Sequence, residues 1–351
     1  MTREMPANTT QHKALPFTMQ PVDIIEVANF DEAKPHIMQA TMPIIFKGLC
    51  AEWPLVKAGL CSQQAVMDYL LPFSQQPVNA CYLPPEHQGR VYYNEQFNGF
   101  NFQGGKVDLS TLFDTLKQHQ QDEQPPTIYM GSTEINQFFP GLGEHNSFDL
   151  SPYQSLTSMW LGSQSTIAAH YDFPLNLACN VVGKRTFSLF PPEQISNLYV
   201  GPMEFAPGGQ DISLVDFANP DFNKHPKFKQ AIEAGYTAEL APGDVLFLPS
   251  MWWHHVQAHE PLNVLITHWW RDSPAYLGRP TNALLHSMLS IRSLPKSQRQ
   301  AWKAIFEHYI FDHDEDDVRH IPPQAQGMLT KPLDEMNARK LRASITEKLK
   351  R

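Results

Sequence analysis

His170 and Asp172 stand two residues apart in the segment STIAAHYDFPLN. On a β-strand, positions i and i+2 face the same side. One imidazole and one carboxylate can therefore aim at a single point while Tyr171 turns away. A third ligand has to come from a distant strand. The run PSMWWHHVQAH, residues 249–259, offers His254, His255 and His259, and His268 follows in the next apolar run. Adjacent strand residues face opposite sides, so His254 and His255 cannot both reach one metal. Alternation groups His254 with Val256, and His255 with Gln257 and His259. The apolar neighbour puts His254 on the inner face and leaves the other two on a polar, partly exposed one. His170, Asp172 and His254 then form a two-histidine, one-carboxylate set, the facial arrangement that binds Fe(II) and leaves coordination positions open. His268 alternates with Val264, Ile266 and Trp270 and is expected to be internal, near the metal without ligating it.

The elements that must carry these residues follow from the surrounding pattern. A chain of 351 residues can bury a large core and form two or three structural units. From about 127 to 275 short β-rich runs (TIYMG, SLTSMWLGS, NLACNVV, RTFSLF, DVLFLP, NVLITHWW) are separated by Gly, Pro, Asn and Asp, which predicts a sandwich or barrel. An interruption at about 193–238 lacks strand character and reads as a loop with a short helix. Residues 21–126 read as an α/β segment packing on the barrel, with helices near 31, at 62–72 and at 108–121, the last capped by Asp108 or Ser110. Helical patterns recur at 281–292, 296–311 and 332–350, so residues 276–351 form a helical region. Residues 1–20 read as a flexible arm.

Composition narrows the function classes. Net charge is −9, which gives no global basic footprint for nucleic acid. No apolar run approaches the ~20 residues a membrane span needs. The first residues lack an apolar leader core, and the four cysteines have no CxxC spacing, so the expectation is reduced thiols in the cytoplasm. Cys179 reads as a small buried hydrophobe. The acids of FDHDEDDVRH, 311–320, run consecutively without the glycine turn of a calcium loop and read as a solvated face.

With these residues in place, the sequence resembles the JmjC/cupin-like Fe(II)- and 2-oxoglutarate-dependent oxygenases, the group that includes the asparaginyl hydroxylase of hypoxia-inducible factor and bacterial cupin-like proteins. The resemblance runs from about 20 to 275. It is carried by PIIFKGLCAEWP (43–54), HYD (170–172), GKRTFSLFPPEQISNLY (183–199), VDFANPDF (215–222), APGDVLFLPSMWWHHV (241–256) and WW (269–270). It implies a mainly β fold, a double-stranded β-helix or jelly-roll, with His170, Asp172 and His254 as metal ligands and catalytic centre. It implies Fe(II) as cofactor, 2-oxoglutarate as cosubstrate and O2 as reactant, with hydroxylation of a C–H bond in a peptide or protein side chain or an amino-acid-like small molecule. A homodimer through the C-terminal helices is also implied.

The family usually places a lysine fifteen residues after the first histidine to hold the distal carboxylate of 2-oxoglutarate. Here that position is Arg185, beside Lys184. Alternation puts Arg185 with Phe187 and Leu189, and Lys184 with Thr186 and Ser188, so Arg185 is the inward cation, and its fork suits a carboxylate. Tyr129 and Asn176 match further polar positions of the pocket. Two positions depart from the hydroxylase pattern: its threonine is Ile167 here, with Thr166 adjacent, and its late-strand asparagine is His268; Thr166 and His268 are taken as the candidates for these cosubstrate-binding roles. The alternatives are a cupin-type metal enzyme that does not use 2-oxoglutarate and a non-catalytic metal-binding or interaction protein.

Overall fold

The computed structural model describes residues 15–350. Two sheets dominate them. The smaller runs Gln20–Pro21, Tyr236–Leu240, Arg185–Phe190, Trp253–Ala258, Ser165–Tyr171, Arg90–Val91. The larger runs Asp23–Ile25, Ile44–Phe46, Val245–Leu248, Leu175–Val182, Asn263–Trp270, Leu156–Gly162, Thr127–Glu134, Val78–Leu83, Gln103–Val107. From Leu156 to Trp270 the chain crosses repeatedly between the sheets, as in a jelly-roll, except that Arg185–Phe190 and Tyr236–Leu240 follow one another within the small one. Phe187, Leu189 and Leu240 of the small sheet meet Ala178, Leu246 and Leu265 of the large one in one apolar cluster, the barrel interior.

Both sheets are also covered on their outer faces. Behind the large sheet, Leu177, Cys179, Val264 and Ile266 pack against the helices Pro54–Cys61, Gln63–Leu70 and Leu109–Gln118. Behind the small sheet, Phe190 and Trp253 pack against Phe217 and Phe228 of the 193–238 segment. Strands buried on both faces read as nearly continuous apolar runs, which is the texture of NLACNVV and NVLITHWW. The polar chain reversal that starts the Arg185 strand depends on Gly183. Its φ is +79°, and a Cβ there would clash with Asn263 Oδ1.

Several expectations are refined. The N-terminal segment does more than pack on the barrel, since four of its strands extend the large sheet. Of these, Gln103–Val107 (QGGKV) carries no alternation and is held by its partner Val78–Leu83. The interruption ends earlier than 238, because Tyr236–Leu240 pairs with Arg185–Phe190. Residues 1–14 of the expected arm lie outside the described residues, but 15–20 are packed: Phe17 meets Phe217 and Phe228 edge-on, and Gln20 pairs with Tyr236. Helix Phe30–Gln39 is capped by Asn29, whose side chain accepts from Glu32 N, and Gln63–Leu70 by Ser62. Asp108 occupies the cap of Leu109–Gln118 without a side-chain hydrogen bond.

The chain divides after Arg271 into two compact units. The second carries helices Pro280–Ser290, Lys296–Phe306 and Glu335–Leu349, the last capped by Asp334. Acids of the 311–320 run serve its turns: Asp314 Oδ1 accepts from the backbone N of Asp316 and of Asp317. No helix among the described residues is long and apolar enough to cross a membrane.

Candidate metal centre

The first and third ligand strands lie side by side in the small sheet, with His254 directly opposite His170. Opposed residues of an antiparallel pair share a face. Leu189 opposes His254 on the other side, and it belongs to the interior cluster, so both histidines face into the barrel. Asp172, at the end of the first strand, completes the set. Ligand atoms of His170, Asp172 and His254 all lie within 4.8 Å of one another, the one such cluster among the described residues.

The backbone fixes what these groups can offer. His170 Nδ1 lies 2.9 Å from Ala168 O, and His254 Nδ1 lies 3.0 Å from Trp252 O. A carbonyl oxygen can only accept, so Nδ1 carries the proton in both rings and each Nε2 keeps its lone pair. Nε2 of His254 is 3.5 Å from Asp172 Oδ2. The other oxygen, Oδ1, accepts from Gln210 Nε2 at 2.9 Å. The main chain of Asp172 is clamped too, its carbonyl accepting from Met251 N at 2.9 Å. Met251 stands at φ +69°, a left-handed turn that lets the tryptophan-rich run fold back onto Asp172.

Electrostatics keep the donor set ready. Burial, helped by the neighbouring His254, lowers the His170 pKa to about 4, so its imidazole is neutral at pH 7. Burial pushes the Asp172 carboxyl up, but its contacts with His254, His170 and Gln210 outweigh that and hold it below the usual carboxylate range. Two neutral Nε2 atoms and one carboxylate oxygen fit a divalent metal of the iron type, so a metal would be held here by His170, Asp172 and His254.

Arg185 lies deeper on the same face. It opposes Ala258 and Leu240 and is buried, whereas Lys184 is exposed. No carboxylate among the described residues pairs with Arg185, and its Nε has no hydrogen-bond partner. Burial lowers its pKa to about 10, with Tyr129 the opposing influence, which places the phenol and the guanidinium in one neighbourhood. Asn176 sits opposite Leu248 and is buried with Oδ1 unpartnered. Trp160 and Trp269 pack edge-on at 5.9 Å, and Trp160 Nε1 donates to Thr267 Oγ1 at 3.0 Å. A buried cation with no carboxylate partner among the described residues suits a small ligand carrying a carboxylate.

Three placements correct the reading of the sequence. His255 is not partly exposed: it is buried on the outer face and stacked on Phe217 at 4.4 Å. His259 does stay partly exposed and bonds to Thr186 Oγ1 at 2.8 Å. Thr166 faces outward opposite Gln257, because a bulge sets His254 against His170 but Val256 against Ile167. Strict alternation from His170 fails across that extra residue, and Ile167 and Ser165 take the inward positions. His268 is internal but on the wrong side of its strand for a pocket residue. It opposes Leu177, bonds to Ser147 Oγ at 2.9 Å and lies 3.8 Å from Cys179 Sγ, within the cluster behind the large sheet. Its neighbours Thr267 and Trp269 face the barrel instead. Gln210 was not anticipated, and nothing in APGGQD signals its role. Thr267 could have been found from the parity of His268.

The cupin-like domain profile matches residues 31–276. The chain belongs to the cupin-like domain family. Among curated proteins it is similar to lysine-specific demethylase 8 of Xenopus tropicalis, 23% identical over 250 residues, covering 69% of this chain and 51% of that protein. HSPB1-associated protein 1 of Homo sapiens is 31% identical over 135 residues, covering 38% of this chain and 27% of that protein. Lysine-specific demethylase JMJ31 of Arabidopsis thaliana is 30% identical over 154 residues, covering 40% and 28%. The chain thus spans about half of the first relative and less of the others.

Proposed function

We propose that the protein is an Fe(II)- and 2-oxoglutarate-dependent oxygenase that hydroxylates a C–H bond. One observation carries this reading: a two-histidine, one-carboxylate set shares a barrel face with a buried guanidinium that no carboxylate among the described residues neutralises. A lone buried cation costs several kcal/mol, and a dicarboxylate cosubstrate answers that cost. Family membership and relatives named as demethylases agree with it.

Bound at these residues, iron and 2-oxoglutarate supply the oxidising chemistry: O2 is activated with decarboxylation of the keto acid, and oxygen enters the substrate. The chain's own residues hold and shield. The Ala168 and Trp252 carbonyls fix the histidine tautomers, and Arg185 binds the distal carboxylate with Tyr129 and Asn176 as polar neighbours. Trp252, Trp160 and Trp269 exclude water from the interior. The substrate class we favour is a peptide or protein side chain, with an amino-acid-like small molecule as the competing class. Thr166 and His268, which the sequence offered with Arg185, Tyr129 and Asn176 as candidate cosubstrate-binding residues, drop out of that set.

The same reading takes the protein to act in the cytoplasm as a homodimer through its C-terminal helices. Exposed Leu285, Leu289, Ile310 and Phe311 in that unit support the association. Light scattering on the native chain and on Leu289→Glu checks it: a dimer that becomes monomeric is expected, and a native monomer rejects it.

The functional test is succinate formation from 2-oxoglutarate with Fe(II) under air, followed by NMR. Native protein is expected to form succinate slowly even without substrate, and Asp172→Ala to form none. Iron bound without succinate formation would return the protein to the keto-acid-independent metal enzymes.

A further inference from the structure

The segment between the Arg185 strand and Tyr236–Leu240 reaches the metal centre at one point. Residues Tyr199–Leu214 form a small hairpin. Gly201 N donates to Ile212 O at 2.9 Å, Leu214 N donates to Tyr199 O at 3.0 Å, and Val200 bridges Ser213. Its returning arm is fastened to the first ligand strand, where Ser213 N donates to Ala169 O at 2.7 Å. Ile212 packs with Ala168 and Tyr93. The arm begins after Gly209, at φ +82°, and its first side chain is Gln210. That amide makes no bond to its own hairpin; it donates to Oδ1 of Asp172.

We infer that Gln210 is a positioning residue for the metal carboxylate: by occupying Oδ1 it leaves Oδ2, the oxygen turned toward His254, as the one presented to the metal. The inference rests on the metal site proposed above. A free carboxylate can rotate about its Cβ–Cγ bond and offer either oxygen or both. Two contacts restrict that rotation here, Gln210 on Oδ1 and His254 beside Oδ2, while Met251 N holds the main chain in place. Of the two contacts on the carboxylate itself, only that of Gln210 comes from outside the two ligand strands, so the hairpin reports directly on a metal ligand. Partners of this kind commonly change metal affinity 10- to 100-fold, roughly, when removed.

The test uses Co(II) alone, added to the full-length apoprotein without oxygen or keto acid, with affinity and visible d–d bands as readouts. Gln210→Leu is expected to weaken Co(II) by about 10- to 100-fold and to shift the bands, with the thermal midpoint unchanged. Gln210→Asn, which keeps the amide but loses its reach, follows the leucine variant and serves if that variant folds poorly. Asp211→Asn, on the same hairpin without a bond to Asp172, keeps native affinity and bands. Native affinity and bands in both Gln210 variants overturn the inference alone. Equal changes in Asp211→Asn also overturn it, by making the effect one of hairpin folding. A native chain that binds no Co(II) overturns both this inference and the functional reading beneath it.

Discussion

Two buried polar regions lie on opposite faces of the large sheet, and they are built differently. Behind the sheet, Asn146 uses its side chain fully. Its Oδ1 accepts from Leu55 N at 2.9 Å, and its Nδ2 donates to Tyr69 Oη at 2.9 Å and Leu142 O at 3.0 Å. His268 is likewise engaged through both ring nitrogens, with Ser147 and Cys179. Inside the barrel, Arg185 Nε and Asn176 Oδ1 have no partner among the described residues, and donor atoms of two histidines and a carboxylate converge. Unpartnered polar atoms also occur elsewhere, such as Ser188 Oγ, so an orphan alone marks nothing. What distinguishes the barrel is an orphaned charge on the same face as a metal donor set. A region built for stability satisfies its polar groups from within, while a region built for a ligand leaves them for the ligand.

The largest expected effect breaks the barrel side only. His254→Ala and Asp172→Ala should each lose metal by more than about 100-fold, because one of three protein donors is gone. His268→Asn should bind metal as the native chain does, measured by calorimetric titration. Equal losses in both would erase the distinction between the faces.

Next comes Arg185→Met, for which the two sides of the comparison predict opposite signs. It should cost about 2–5 kcal/mol of 2-oxoglutarate binding, roughly 30- to several-thousand-fold. It should also raise the melting temperature of the apoprotein, because an unpaired buried cation is replaced by an apolar side chain of similar length. Asn146→Ala behaves in the opposite way. It strands Leu55 N and Leu142 O, so it should cost about 2–4 kcal/mol of stability in denaturant unfolding and leave metal affinity native.

The most gradual effect, spread over more than two pH units, concerns pH. Burial lowers the pKa of both His170 and His268 to about 4, from an ordinary value near 6.5. Between those values the unfolded chain binds protons at both positions and the folded chain does not. Stability therefore falls as pH drops from 6.5 toward 4, by roughly 1.4 kcal/mol per pH unit for each histidine. His268→Asn should flatten that slope by about one proton while metal binding stays native. An unchanged slope in the apoprotein variant would falsify the buried neutral state assigned to His268.

How far the sequence went depended on whether alternation could tell inside from outside. The spacing of His170 and Asp172, and the choice of His254 over His255, were legible because a metal set needs one shared face. The same alternation grouped His268 correctly with Val264, Ile266 and Trp270. It could not say which side that group faced, because the strand is apolar on both. The exposure expected for His255 failed for the same reason, since Phe217 arrives from a segment with no strand pattern. Thr166 was lost to a bulge, which breaks the period of two without a mark in the sequence. Gln210 was invisible because its role depends on where a hairpin lands, not on its neighbours in the chain.

The central claim is that the barrel holds iron and a 2-oxo dicarboxylate together, and it is tested most directly without oxygen. Fe(II) and then 2-oxoglutarate are added to the native chain, His254→Ala, His255→Ala and Arg185→Ala, and the visible charge-transfer band of the chelated complex is followed. The account predicts the band in the native chain and in His255→Ala, its loss in His254→Ala, and a much weaker response to 2-oxoglutarate in Arg185→Ala. Iron bound by the native chain with no band at saturating 2-oxoglutarate would contradict it.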